Sequence, residues 1–212
     1  MTSPPDPRQA IVAHYDERAA SYDESAMHRG LTEAVADLVD LTGVETTLDV
    51  ATGTGLMLRS LLRRHDGLRL VGVDLSPGML AVARRELPDA ALVLGDAGAV
   101  PLPDGSVDLV TCITALHLFP DPGAVFAECR RVLRPGGRVV TATFRPATKH
   151  ICGPQSSDFP RRHEAFASPE LVAGELAPYD LELSRHADWT DGEDDLLICE
   201  LRQLVREPRA PG

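Results

Sequence analysis

A glycine turn, three carboxylates and one histidine in this sequence have the types and spacing to do chemistry. Leu48-Asp49-Val50-Ala51-Thr52-Gly53-Thr54-Gly55-Leu56 passes from apolar residues through a carboxylate into small residues and two glycines, and a helical pattern follows. That order reads as a strand, a tight turn and a helix N-terminus. Gly53 and Gly55 carry no Cβ, so a ligand can approach the backbone, and the open N–H groups of the incoming helix face it. Asp74 ends a second apolar run about 20 residues on, where a carboxylate can accept both hydroxyls of a ribose. Its other reading is a helix-capping Asp. Asp96, in Gly95-Asp96-Ala97, can accept an adenine amino proton or form a turn. His117, in Thr114-Ala115-Leu116-His117-Leu118-Phe119, titrates near neutral pH and suits a proton acceptor; packing beside a ligand or capping the loop is the alternative.

The spacing limits what the turn can hold. A dinucleotide fingerprint needs a third small residue for close helix–strand packing, and Gly53-Thr54-Gly55-Leu56-Met57-Leu58 lacks it. No Gly-Lys-Ser/Thr follows, so the phosphate loop of nucleotide triphosphatases is excluded. What remains is a nucleoside whose non-base end is not a pyrophosphate.

The elements that must position these residues alternate. A helix starts near Arg8, with Ile11, Tyr15, Ala19 and Tyr22 on one stripe. A second runs from Leu31 to Leu41. Strands are expected at 46–50, 68–74, 91–94, 107–113 and 138–144, with Ser76-Pro77 and Asp121-Pro122 opening capped helices between them. Pro135-Gly136-Gly137 stops the helix before the fifth strand. Residues 145–167 read as a surface lid or loop, Ser168-Pro169-Glu170 opens a short helix to Leu176, and 180–189 with 196–204 form a hairpin. Residues 1–7 read as a leader and 206–212 as a frayed end. The pattern predicts one α/β domain over 1–212: a three-layer, Rossmann-like, seven-stranded, mostly parallel sheet with an antiparallel C-terminal hairpin. Ligands of such sheets bind at the carboxyl ends of the strands.

Composition narrows the partners. The 212 residues carry a net charge of −11, which argues against a nucleic-acid backbone or an anionic membrane. No apolar run spans a bilayer. Cys112, Cys129, Cys152 and Cys199 form no paired motif, so a zinc site or disulfide framework is not expected and a reducing cytoplasm fits. No carboxylate cluster points to a metal.

Together, Leu48–Leu56, Val73-Asp74-Leu75-Ser76-Pro77-Gly78-Met79-Leu80, Gly95–Val110 and Arg131-Val132-Leu133-Arg134-Pro135-Gly136-Gly137 resemble the class I S-adenosylmethionine-dependent methyltransferases, in the branch of ubiquinone and menaquinone biosynthesis and many small-molecule enzymes. One departure is Ala51, where the family's first glycine stands. The resemblance implies S-adenosylmethionine as cofactor. It implies that the Ala51, Gly53 and Gly55 turn meets the methionine part and that Asp49 helps hold its ammonium group. It further implies that Asp74 holds the ribose, Leu75 and Met79 sandwich the adenine, Asp96 and Ala97 read its edge, and Thr114 sits near the methionine end. Tyr15 and Tyr22 resemble the Tyr-Asp segments that close over the cofactor; aromatic packing of an amphipathic helix is the alternative. In these terms residues 1–43 form a helical cap, 44–145 the cofactor core, 146–167 a lid, and 168–206 a C-terminal helix and hairpin.

The reaction this implies is methyl transfer to a small, mainly apolar acceptor at O, N or C, by a monomer or homodimer of small-molecule or secondary metabolism. His117 is the candidate base. His150, His163, Arg161 and Arg162 read as solvated lid charges, or as groups meeting an anionic or phenolic acceptor. Trp189 reads as a packing residue. The other function open to the same fold is a cofactor-binding catalyst of a different reaction, such as a pericyclic step.

Overall fold

The computed structural model describes residues 6–145, 159 and 161–205. The expectations for the leader, for His150 and Cys152 and most of the lid, and for 206–212 lie outside these residues. Seven strands form one sheet, in the order β3-β2-β1-β4-β5-β7-β6. They are β1 (Thr46–Val50), β2 (Arg69–Asp74), β3 (Ala91–Leu94), β4 (Val107–Ile113), β5 (Leu133–Phe144), β6 (Leu181–Thr190) and β7 (Asp195–Gln203). The first five are parallel, and β7 runs antiparallel between β5 and β6. The predicted sheet is the observed one. The chain leaves β1 towards β2 on one side and meets β4 on the other, so a crevice opens beyond the carboxyl ends of β1 and β4.

Alternation along the strands supplies two cores. Leu48 and Val50 with Leu197, Cys199 and Leu201 face one layer, where Val125, Phe126, Cys129 and Val132 of α5 (Pro122–Val132) and Val172 and Leu176 of α6 (Pro169–Leu176) pack. Leu109, Val140, Ala142 and Ile198 face the other, against Leu31 and Val35 of α2 (Ala26–Leu38) and Met57, Leu58 and Leu61 of α3 (Leu56–Arg64). Burying each of the Val, Leu, Ile, Phe and Met side chains contributes roughly 1.5–3 kcal/mol.

Three boundaries differ most from the sequence pattern. The second helix begins at Ala26, not Leu31, because Ser25 caps it by accepting from the His28 N–H (3.3 Å). Gly30 does not interrupt it; a Cβ there would lie 3.3 Å from the Trp189 ring, so the glycine lets α2 approach β6. The fifth strand starts at Leu133, not Arg138. Pro135-Gly136-Gly137 is absorbed as an irregularity, with Gly136 at φ 79° and a register shift opposite Val107 to Leu109. The first helix, α1 (Pro7–Arg18), stops before Ala19, so Tyr22 arrives on a separate 3₁₀ turn.

Two carboxylates tie this N-terminal cap to the core. Asp16 Oδ1 accepts from the Gly78 N–H (2.8 Å) and from the Ser76 hydroxyl, at the start of α4 (Pro77–Glu86). A Cβ on Gly78 would stand 2.8 Å from that oxygen, so the glycine admits the carboxylate, and the helix N-terminus favours its charge. Asp23 accepts from the Thr54 hydroxyl (2.5 Å) and from the Arg59 guanidinium on α3. Among the described residues no helix is long and apolar enough to cross a membrane. Asp16→Ala removes the first tie, worth about 1 kcal/mol. Amide exchange should then quicken in α1 while β1 and β4 stay protected; unchanged exchange in α1 would show that the tie does not hold the cap.

Candidate active site

The cleft at the carboxyl ends of β1, β2 and β4 holds about 730 Å³ of empty space, counting space open to solvent. Its floor is the turn after β1. Ala51, Gly53 and Gly55 all take left-handed backbone, at φ 55°, 56° and 80°. Such geometry strains an alanine by about 1 kcal/mol or more, and it persists only where surrounding contacts enforce it. The Gly53 Cα faces open space, so a ligand can lie against its backbone. Gly55 does not line the cleft: a Cβ there would meet Leu87 at 2.9 Å and Ala83 at 3.5 Å, so this glycine serves packing between α3 and α4.

Asp74 closes the turn from the side. Its Oδ2 accepts from the Gly53 N–H (2.7 Å) and its Oδ1 from the Ser76 N–H (2.8 Å). A carboxylate has about four acceptor sites, so Asp74 keeps acceptor capacity for a ligand's hydroxyl. Burial raises its pKa above the ordinary value, and the backbone donors of Ser76, Gly53 and Leu75 oppose this. Leu75 and the buried Met79 give the cleft apolar flanks beside Asp74, and Ala97 adds a small buried surface opposite. Asp96 lines the same wall, but its Oδ2 already meets the Arg8 guanidinium (2.8 Å) while Oδ1 accepts from the Gly98 N–H (2.8 Å). An incoming donor on Asp96 must share it with Arg8, a residue without a motif of its own.

A narrower annex of about 360 Å³ continues from the turn towards Asp49. Asp49 and Thr111 are register partners on β1 and β4, and the Thr111 hydroxyl donates to Asp49 Oδ1 (2.6 Å). Burial pushes the Asp49 carboxyl up to about 7, against the Thr111 hydroxyl, which favours the charged form. A cation brought into the annex would restore its charge.

Thr114 stands where the main cleft, the annex and a third chamber meet. It is a second strained non-glycine residue (φ 55°), and its N–H donates to Ala142 O (2.8 Å) on β5. Tyr15 and Tyr22 reach the cleft from above, their rings 6.3 Å apart, and Tyr22 stacks on His28 at 4.6 Å. Burial raises both phenols above their ordinary value, so they remain protonated donors. His28 escaped the sequence reading because the helix was started five residues late; Ser25 as a cap was the available signal.

His117 is not on the main cleft. It is buried in a 3₁₀ turn after β4, stacked on His163 with centroids 4.1 Å apart, and it walls the third chamber. The segment expected as solvated lid charge divides. His163 is buried behind His117, Arg161 lines the chamber, and Arg162 is exposed. The Arg162 N–H donates to His117 O (2.9 Å), fixing this segment to the turn. Among the described residues no group of three or more His, Cys, Asp and Glu side chains forms a metal site.

Comparison with known proteins gives a match to a family model described as a methyltransferase domain, over residues 48–141. The chain is 33% identical over 179 residues to malonyl-[acyl-carrier protein] O-methyltransferase of Serratia marcescens, covering 83% of this chain and 69% of that protein. It is 38% identical over 120 residues to demethylmenaquinone methyltransferase of Thermotoga maritima, covering 56% of this chain and 52% of the relative. The chain thus spans between about half and just over two thirds of these curated relatives. A solved SAM-dependent methyltransferase from Thermotoga maritima superposes with a TM-score of 0.72 at 16% identity, covering 91% of this chain and 99% of that one. At that identity the likeness speaks for the fold alone.

Because Asp49 titrates near 7 in the fold and near 3.8 when exposed, the folded chain binds a proton that the unfolded chain releases. The resulting instability is full above pH 7, shrinks as pH falls through that value, and is gone below about pH 4. Asp49→Asn should therefore raise the thermal midpoint of the ligand-free chain at about pH 8 and raise it less at about pH 5. An equal rise at both would remove the carboxylate's titration from the account.

Proposed function

The chain belongs to the class I S-adenosylmethionine-dependent methyltransferases, and from that premise we propose that it transfers a methyl group from S-adenosylmethionine to a small-molecule acceptor. The observation that carries the reading is Asp74: it is fixed by the Gly53 and Ser76 backbone donors, keeps acceptor capacity, and faces a glycine turn with open space above Gly53. In this reading Asp74 holds the ribose hydroxyls, and a hydrogen bond to a charged acceptor contributes roughly 1.5–3 kcal/mol. Leu75 and Met79 flank the adenine, and Asp96 with Ala97 reads its edge. The Ala51–Gly53 backbone carries the methionine part towards the annex, where its ammonium group stabilises the charged form of Asp49. Gly55 supports the turn from behind.

When bound, the cofactor would supply a methyl group made electrophilic by its sulfonium, open to an acceptor's lone pair. The protein's own work is alignment and exclusion of water. Tyr15 and Tyr22, tied down through Asp16 and Asp23, close the cleft from above. Thr114 separates the donor's end from the third chamber, which we assign to the acceptor, with His117 on its wall as the group that takes a proton or orients the acceptor. The names of the relatives supply two acceptors worth trying, a malonyl group on acyl carrier protein and a demethylmenaquinone. Residues 6–43 then act as cap, 44–145 as cofactor core and 168–205 as C-terminal helix and hairpin. A cytoplasmic enzyme of small-molecule or secondary metabolism, monomeric or homodimeric, is consistent with the free buried Cys112, Cys129 and Cys199.

Calorimetry should find tight S-adenosylhomocysteine binding that Asp74→Asn weakens at least tenfold, about 1.4 kcal/mol. Tight NAD binding with none of S-adenosylhomocysteine would overturn the reading. With a methyl-labelled donor and each named acceptor, His117→Ala should lose turnover while cofactor affinity is kept. Near-normal turnover would make His117 a packing residue.

A further inference from the structure

We propose that Arg18 and Arg161 form a clamp for an acidic group of the acceptor, a carboxylate, at the mouth of the chamber beyond Thr114. This rests on the reading of that chamber as the acceptor's. The chamber holds about 300 Å³, counting space open to solvent, with Arg18 and Arg161 among its walls beside Tyr15, Tyr22 and Thr114. No Asp or Glu of the described residues lines it.

Most described arginines of this acidic chain pair with a carboxylate, and Arg18 and Arg161 are among the few that do not. Arg8, Arg59, Arg131, Arg134, Arg138 and Arg185, among others, each meet a carboxylate within 4 Å. Among the described residues Arg18 and Arg161 meet none. The side-chain partner of Arg18 is His14 Nε2 at 3.3 Å. Arg161 lies 5.4 Å from the centre of the Phe159 ring, and its Nε is buried with no hydrogen-bond partner among the described residues. A buried donor left unmet is costly, and an anion removes that cost.

Arg161 is also held in place. The neighbouring Arg162 N–H donates to His117 O, and His163 stacks on His117. Both positive charges reach the chamber's floor: burial raises the Tyr15 phenol, and Arg161 and then Arg18 oppose it. The same two charges, after burial, lower His14. A guanidinium offers parallel N–H donors that match a carboxylate's two oxygens, and an ammonium does not.

The test uses the full chain saturated with S-adenosylhomocysteine, titrated calorimetrically with benzoate against benzamide and octanoate against octanamide. At least one carboxylate should bind tenfold or more tightly than its amide. Arg161→Gln should abolish that preference, Arg161→Lys should restore only part of it, and Arg18→Gln should weaken it. S-adenosylhomocysteine affinity should change less than twofold in each variant. Equal binding of acid and amide, no binding of either acid, or an unchanged preference in Arg161→Gln overturns the clamp. If the unmodified chain fails to bind S-adenosylhomocysteine, the failure belongs to the underlying reading instead.

Discussion

The hydrogen bond from the Gly53 N–H to the Asp74 carboxylate, at 2.7 Å, joins the ends of two neighbouring strands and fixes the shape of the cleft. It acts across the β1–β2 pair, whose register sets Val50 beside Val73. With Ser76 as the second donor, the carboxylate's position is determined from both sides. The turn below it then has little freedom, and its left-handed residues are the consequence: an alanine at φ 55° is tolerated because the chain must pass beneath Asp74. The open space over Gly53, the flanking Leu75 and Met79, and the route to Asp49 all follow from where this one contact holds the backbone.

The N-terminal cap depends on the same region. Asp16 lands on Ser76 and Gly78, one turn beyond Asp74, and Asp23 lands on Thr54 and Arg59, one residue beyond Gly53 and further into α3. Each follows a tyrosine that points into the cleft, so each Tyr-Asp pair delivers a ring and anchors it. Burial then holds both phenols in their neutral form. The arrangement gives the cleft an aromatic roof without covalent attachment, carried by a helix and a 3₁₀ turn that themselves have no fully buried residue.

Much of this was legible in the sequence where the physics is local. Ser76-Pro77 and Asp121-Pro122 announce helix starts by capping chemistry, and both caps form, Ser76 on Met79 and Asp121 on Ala124. Apolar runs ending at Val50, Asp74 and Ile113 place the strand ends and with them the cleft. What failed to show was non-local. Gly30 looks like a helix breaker until Trp189, far along the chain, is seen packed against it. Nothing near Arg8 announces Asp96 as its partner, and nothing near Arg161 announces that its segment docks on the His117 turn. Gly53 and Gly55 look equivalent in the sequence; one faces open space and the other faces α4 only because of how the layers stack.

The most direct measurement is a crystal structure of the chain with S-adenosylhomocysteine. The account predicts both ribose hydroxyls within hydrogen-bond distance of Asp74, the amino-acid end over Gly53 and directed towards Asp49, and the sulfur beside Thr114. A nucleoside bound away from Asp74, or a ribose whose hydroxyls leave that carboxylate uncontacted, would contradict it.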